Sequence, residues 1–162
     1  MMTNHYSRKR GRGDSFGGMN ETGDLKTLQL FYAGLMADAA ANFEHFGVLP
    51  QVREKKAREQ EAAAPGQLSQ LGIRTARELF ERFGAIFGCA RWEVAESEDG
   101  SLAAETRTCL ACAIAKKRGG AKPCELYCLN PFRALAAALQ PARRLQVEET
   151  LWEGGRCRFR LS

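Results

Sequence analysis

The residues with most chemistry to offer in this 162-residue chain are its six cysteines, and their spacing is uneven. None occurs in the first 88 residues. Cys89 comes first, Cys109, Cys112, Cys124 and Cys128 follow within 20 residues, and Cys157 stands near the end. Cys109-x-x-Cys112 and Cys124-x-x-x-Cys128 are separated by 11 residues. Two thiolates so close in sequence can chelate one ion, and two such pairs complete a tetrahedral shell that suits zinc or an iron–sulfur cluster. Zinc sites more often pair two C-x-x-C units, and Cys157 can replace one ligand if its strand lies beside the helix that carries Cys109. Spacing alone leaves three readings open: a metal site, a redox dithiol at Cys109 and Cys112, and reduced thiols packed as small hydrophobic side chains. Cys89, alone after a helix end, reads as a core thiol.

Other chemistries find less support. The histidines are His5 and His45, one in the basic N-terminal stretch and one at a helix end, so a cysteine–histidine nucleophile is poorly served. Glu93 with Glu96 and Glu148 with Glu149 offer carboxylate pairs, but strand alternation puts them toward solvent. Gly154-Gly155 belongs to a hairpin rather than to a phosphate-cradling strand–helix turn. The chain carries 24 Lys and Arg against 19 Asp and Glu, a net charge of +5. Arg8, Lys9, Arg10 and Arg12 make the start basic, yet there is no long basic run with interleaved aromatics, which speaks against nucleic acid as a partner. No run of apolar residues approaches the roughly 18 of a membrane span, and no apolar stretch follows the basic start as in a secretory signal. A cytoplasmic location follows by default, and in that compartment six cysteines speak for working thiols rather than disulfides. Met19 is an alternative translation start.

These groups must be held by regular elements, and the periodicity supplies them. Residues 1–22 read as a disordered basic tail and 23–162 as one domain, helical over 23–88 and cysteine-bearing over 89–162. Asp24 is expected to cap a helix running to about His45, with Leu28, Phe31, Tyr32, Leu35, Met36, Ala39, Phe43 and Phe46 as its buried face. Residues 51–64 read as an exposed charged helix ending at Pro65-Gly66. Thr75 and Glu78 form a capping box for a helix burying Leu79, Phe80, Phe83, Ile86 and Phe87. The period then becomes two. Trp92 and Val94 lead into an Asp99-Gly100 turn, and Leu102, Ala104 and Thr106 return. A short helix opens at Cys109 and closes at Gly119-Gly120, and Asn130-Pro131 is expected to open another that stops before Pro141. Leu145 and Val147 alternate with polar neighbours, and the last strand turns Cys157, Phe159 and Leu161 inward. The expected fold is α+β: N-terminal helices, then a β-β-α-α-β-β unit with a small antiparallel sheet.

The stretches Thr108-Cys109-Leu110-Ala111-Cys112, Pro123-Cys124-Glu125-Leu126-Tyr127-Cys128 and Glu148 to Phe159 resemble the C-terminal half of the L-2-amino-thiazoline-4-carboxylic acid hydrolase family. Thr150, Leu151, Gly154, Cys157 and Phe159 match that family's closing hairpin. The related 4-vinyl reductase ligand-binding domain is similar in its β-β-α-α-β-β order, but has a longer hairpin and usually a further cysteine where this chain has Leu151 and Trp152. The resemblance covers roughly residues 73–162. It implies a cytosolic α+β domain that takes a small molecule and hydrolyses a carbon–nitrogen bond of a cyclic thiazoline. The alternative it carries is a non-enzymatic small-molecule sensor module. No catalytic residue is carried over by the motif. Cys109, Cys112, Cys124, Cys128 and Cys157 are the candidate ligands of zinc or an iron–sulfur cluster, a small molecule is the expected partner, and a homodimer is the oligomer entertained. A pocket with convergent polar groups beside the cysteines would speak for the enzyme, and an apolar cavity lined by Phe31, Phe80 and Phe83 for the sensor.

Overall fold

The computed structural model describes residues 21–162, so the expected tail lies outside the described residues except for Glu21 and Thr22, which are already helical. Three helices come first: α1 (Glu21–His45), α2 (Leu49–Leu71) and α3 (Ala76–Phe87). They are followed by β1 (Glu93–Glu96), β2 (Leu102–Thr106) and α4 (Leu110–Lys117). A π-helical turn (Glu125–Leu129) runs straight into α5 (Asn130–Leu139), and β3 (Leu145–Glu149) and β4 (Cys157–Leu161) close the chain. The fold is α+β, and its second half has the β-β-α-α-β-β order that the periodicity predicts.

The four strands form one antiparallel sheet in the order β1-β2-β4-β3, which leaves β1 and β3 at the edges. Leu102, Ala104 and Thr106 of β2 stand opposite Leu161, Phe159 and Cys157 of β4, and all six are buried. That shared inner face is what strict alternation requires. The outer face carries Arg156, Arg158 and Arg160 in a ladder of ion pairs with Glu105, Glu148 and Glu149, at 2.7–3.8 Å. Helix α5 covers the inner face, and Phe80 of α3, Phe132 of α5 and Phe159 of β4 meet there without solvent contact. Phe80 and Phe132 stack with centroids 4.9 Å apart, and Trp92 meets both edge-on at 5.3 and 5.5 Å. The expected capping box is present, with Glu78 N–H donating to Thr75 Oγ1 at 3.2 Å.

Several sequence expectations are corrected. Helix α2 does not end at Pro65 but continues to Leu71, and it is not free-standing. Ala64, Leu68 and Leu71 pack it into the main core beside α5, while Lys55–Glu59 and Arg58–Glu54 pairs occupy its wet side. Asn130 is not a helix cap, because its backbone is already α-helical and its N–H donates back to Glu125 across the π turn. That turn loosens the helical ladder just ahead of Pro131, where the chain has no N–H to donate. Helix α1, finally, is buried on a different face. Ala33, Met36, Ala37 and Ala40 face inward, whereas Leu28, Phe31, Leu35 and Phe46 are exposed. Small side chains let α1 lie close against Ala111 of α4, which bulky ones would hold off. In α3 the burial is likewise partial: Leu79 and Phe80 are buried, Phe83 and Phe87 half-buried and Ile86 exposed.

Gly84 sets how closely α3 approaches the segment that carries Cys89. A Cβ there would meet the Ala90 carbonyl oxygen at 2.8 Å and Trp92 Cδ1 at 3.3 Å. Gly66, within α2, has open space instead. Gly66→Ala is therefore expected to stabilise by about 0.5–1 kcal/mol, as helix propensity dictates. Gly84→Ala should destabilise by about 1–3 kcal/mol despite the same propensity gain, because backbone must move. Urea unfolding of the two variants checks the opposite signs.

Candidate functional site

Four parts of the chain bring the cysteines together. Cys89 lies between α3 and β1, Cys109 and Cys112 at the start of α4, Cys124 and Cys128 along the π-helical turn, and Cys157 at the start of β4. All six are free thiols, and all six line one small cavity of about 50 Å³ together with Met36, Pro123, Tyr127, Thr150 and Leu151. The five cysteines expected from the sequence to act together thus share one space, and Cys89 joins them. Its place could not be read from spacing, since it follows the glycine stop of α3 like an ordinary core residue. What recruits it is a backbone strap: Leu110 N–H donates to Cys89 O at 2.8 Å, tying the end of α3 to the start of α4.

Each segment is fixed locally. Gln29 of α1 donates its amide to Ala85 O and Ile86 O, both at 3.1 Å, and so caps the C-terminal end of α3 just before Cys89. Thr106 Oγ1 donates to Thr108 O at 3.1 Å and accepts from Thr108 N at 3.3 Å, which shapes the approach to Cys109. The first turn of α4 has no side-chain cap. The Ala111 and Cys112 N–H groups of this turn offset a part of the burial of Cys89 and Cys109. Leu151 N–H donates to Cys157 Sγ at 3.3 Å. Such N–H donors are what orient thiolates around an ion and moderate their charge. The sulfurs sit where a helix N-terminus favours negative charge.

Burial nevertheless works against ionisation. It pushes Cys109 and Cys124 up to about 12 and Cys128 well above the ordinary value, and it raises Cys89, Cys112 and Cys157 as well. Neighbouring thiols add to the effect at Cys109, Cys124 and Cys128. At neutral pH the metal-free cavity therefore holds thiols, not thiolates. Reactive dithiols and cysteine nucleophiles need the reverse shift, so the redox and nucleophile readings lose ground. His45 stays at the end of α1, edge-on to Phe46 at 4.9 Å, and lines neither this cavity nor its neighbour. The Glu148 carboxylate is engaged by Arg158 and Arg160 of β4 and that of Glu149 by Arg156 just before it, and Glu93 and Glu96 are exposed on β1.

A second cavity, about 380 Å³, adjoins the first and shares Met36, Cys89 and Tyr127 with it. It opens between α1, α2, α3 and the π turn, walled by Tyr32, Phe83, Phe87, Leu71, Leu126 and Pro131, with Lys56, Gln60, Gln67 and Gln70 as polar groups. Phe31 and Phe80, expected in such a wall, are absent from it: Phe31 is exposed and Phe80 is in the core. Gln60 fastens the wall, its Nε2 donating to Leu126 O at 3.0 Å. Burial raises the Tyr32 and Tyr127 hydroxyls, so both remain proton donors well past neutral pH. Among the described residues, no carboxylate and no histidine lines this space.

Among the described residues, no three His, Cys, Asp or Glu side chains are already poised as a metal ligand set. The metal-free thiols carry a pH signature of their own. A group whose pKa is raised on folding stabilises the native state fully below its unfolded value and loses that contribution as pH rises toward the folded one. For Cys109 and Cys124 that window runs from the ordinary 9.0 to about 12. Metal-free protein should accordingly be alkylated slowly at neutral pH, and its stability should fall above pH 9 by about 1.4 kcal/mol per pH unit for each thiol. Chemical denaturation at stepped alkaline pH reads this out. No protein-family model, curated protein or solved structure matches this chain, and what its site does is read from its own residues.

Proposed function

We propose that this protein is a small-molecule-binding module, of the sensor rather than the hydrolase type, whose thiol cavity holds a single zinc ion as a structural centre. One observation carries the reading: six cysteines from four segments line one small cavity whose wall is also the wall of a larger pocket. The donor set fits zinc. It is all sulfur, and Leu151 N–H already donates to one of the sulfurs, that of Cys157. Cys109, Cys112, Cys124 and Cys128 are the proposed ligands, with Cys157 and Cys89 beside them. Four thiolates close the coordination shell, so the ion would cross-link α4 and the π turn and leave no open position for water.

The larger pocket supports binding over turnover. Its aromatic and aliphatic walls suit a flat, largely apolar molecule, and Lys56 with the tyrosine hydroxyls suits a carboxylate or a phenolate at its edge. Among the described residues its lining offers no carboxylate or imidazole to activate a water, the step that opening a cyclic thiazoline requires. The hydrolase reading rests on the resemblance of three short stretches, Thr108–Cys112, Pro123–Cys128 and the closing hairpin through Thr150, Leu151, Gly154, Cys157 and Phe159.

Anaerobically purified protein should carry one zinc per chain by elemental analysis and no visible absorption. Chelation, Cys112→Ser or Cys124→Ser should lower the unfolding free energy by at least ~3 kcal/mol. Metal-free protein with unchanged melting behaviour rules out the zinc centre, and a brown protein containing acid-labile sulfide puts an iron–sulfur cluster in its place. Small aromatic carboxylates should raise the melting temperature of the zinc-loaded protein, by about 2.7 kcal/mol in stability at a hundredfold excess over Kd, and Lys56→Met should remove the preference for acids over their amides. Steady product release from a cyclic thiazoline carboxylate would reinstate the enzyme.

A further inference from the structure

Helix α1 is apolar on two opposite faces, and the fold covers only one of them. Ala33, Met36, Ala37 and Ala40 are buried, while on the far side Phe31 is 73% exposed, Leu28 66% and Leu35 63%, with Leu25 and Leu30 alongside. A helix apolar all round belongs in an interior. These side chains leave on the order of 600 Å² of apolar surface open, at the upper end of what a monomer tolerates and close to the ~800 Å² that one partner of a standard interface covers. The patch runs into a groove between α1 and α4, lined by Phe31, Gly34, Leu35, Ile114 and the rim charges Asp38, Lys117 and Arg118. A Cβ at Gly34 would meet nothing within 4 Å, so the groove floor is a notch. Among the described residues Asp38 binds only Asn42, at 3.0 Å, and neither Asp38, Lys117 nor Arg118 enters an ion pair.

We infer that α1 is the interface of a homodimer, a two-fold contact in which Phe31 of each chain enters the notch beside Gly34 of the other. The patch is complementary to itself. It supplies both knob and notch within one turn of helix, as a two-fold contact requires, and its rim offers an acid and two bases for pairing across the axis. A second copy fits better than the twenty residues ahead of α1, whose large apolar side chains are three methionines, Tyr6 and Phe16.

Light scattering and sedimentation equilibrium on the full chain test this, from low to high micromolar concentration. The expected result is a reversible dimer. Phe31→Asp should weaken it at least a hundredfold while the circular dichroism and the melting temperature of the dilute protein stay unchanged, since Phe31 touches little of its own fold. Asp38→Lys should weaken it at least threefold, and Asp38→Lys with Lys117→Glu and Arg118→Glu should recover most of that loss. A wild-type chain that is monomeric throughout overturns the inference. So does a dimer indifferent to Phe31→Asp, or one that forms only when residues 1–20 are removed, which would assign the stripe to that segment.

Discussion

The constraint on which the rest of the structure depends is electrostatic: six sulfurs share one apolar cavity, and a buried charge there is intolerable unless it is compensated. The cavity can close around neutral thiols or around thiolates neutralised by a cation, and around nothing in between. Every element touching it is arranged accordingly. Helix α4 brings Cys109 and Cys112 at its start, the π turn offers two thiols from one short stretch, and β4 contributes Cys157 from the inner face of the sheet with Leu151 N–H on its sulfur. A cluster of this kind is a poor nucleophile and a good ligand, and this is the physical basis for reading it as a centre that holds structure together.

Helix α1 shows how packing distance can override hydrophobicity. Its bulkiest side chains form a wide apolar face, and by area alone that face belongs in the core. The fold buries the alanine face instead, since only small side chains allow α1 to lie close to α4 and let Gln29 reach the end of α3. The position of Cys89 follows from this choice. The bulky face, left over, is then available for contact with another chain.

The second half of the molecule was legible because its alternation is strict. Leu102, Ala104 and Thr106 against Cys157, Phe159 and Leu161 define an inner face with no competing solution, and the Gly119 and Gly100 stops stand where the period changes. The helical half was less so. In α1 two apolar faces compete, and periodicity cannot rank them without knowing the neighbour. Pro65 is a helix breaker in an isolated peptide, but Ala64 and Leu68 on either side of it are buried in the core, and tertiary contact carries the helix through. A shared site for four cysteines was one of three readings that their spacing left open, alternation turned Cys157 inward, and the structure adds that all of them line one cavity. The arrival of Cys89 depends on a backbone hydrogen bond between distant segments, and side-chain pattern holds no record of it.

The π-helical turn at Glu125–Leu129 places this chain in an unusual position with respect to change in length. Loss of one residue there would let the segment relax into uninterrupted α-helix, with a more regular ladder than it has now. The same loss would rotate everything upstream by about 100° relative to α5 and swing Cys124 away from its companions. Local backbone energy and the geometry of the cavity thus pull in opposite directions at this turn. In descendants of this sequence, the length of the stretch between Cys124 and Pro131 is a better record of a retained thiol centre than the identity of the residues within it.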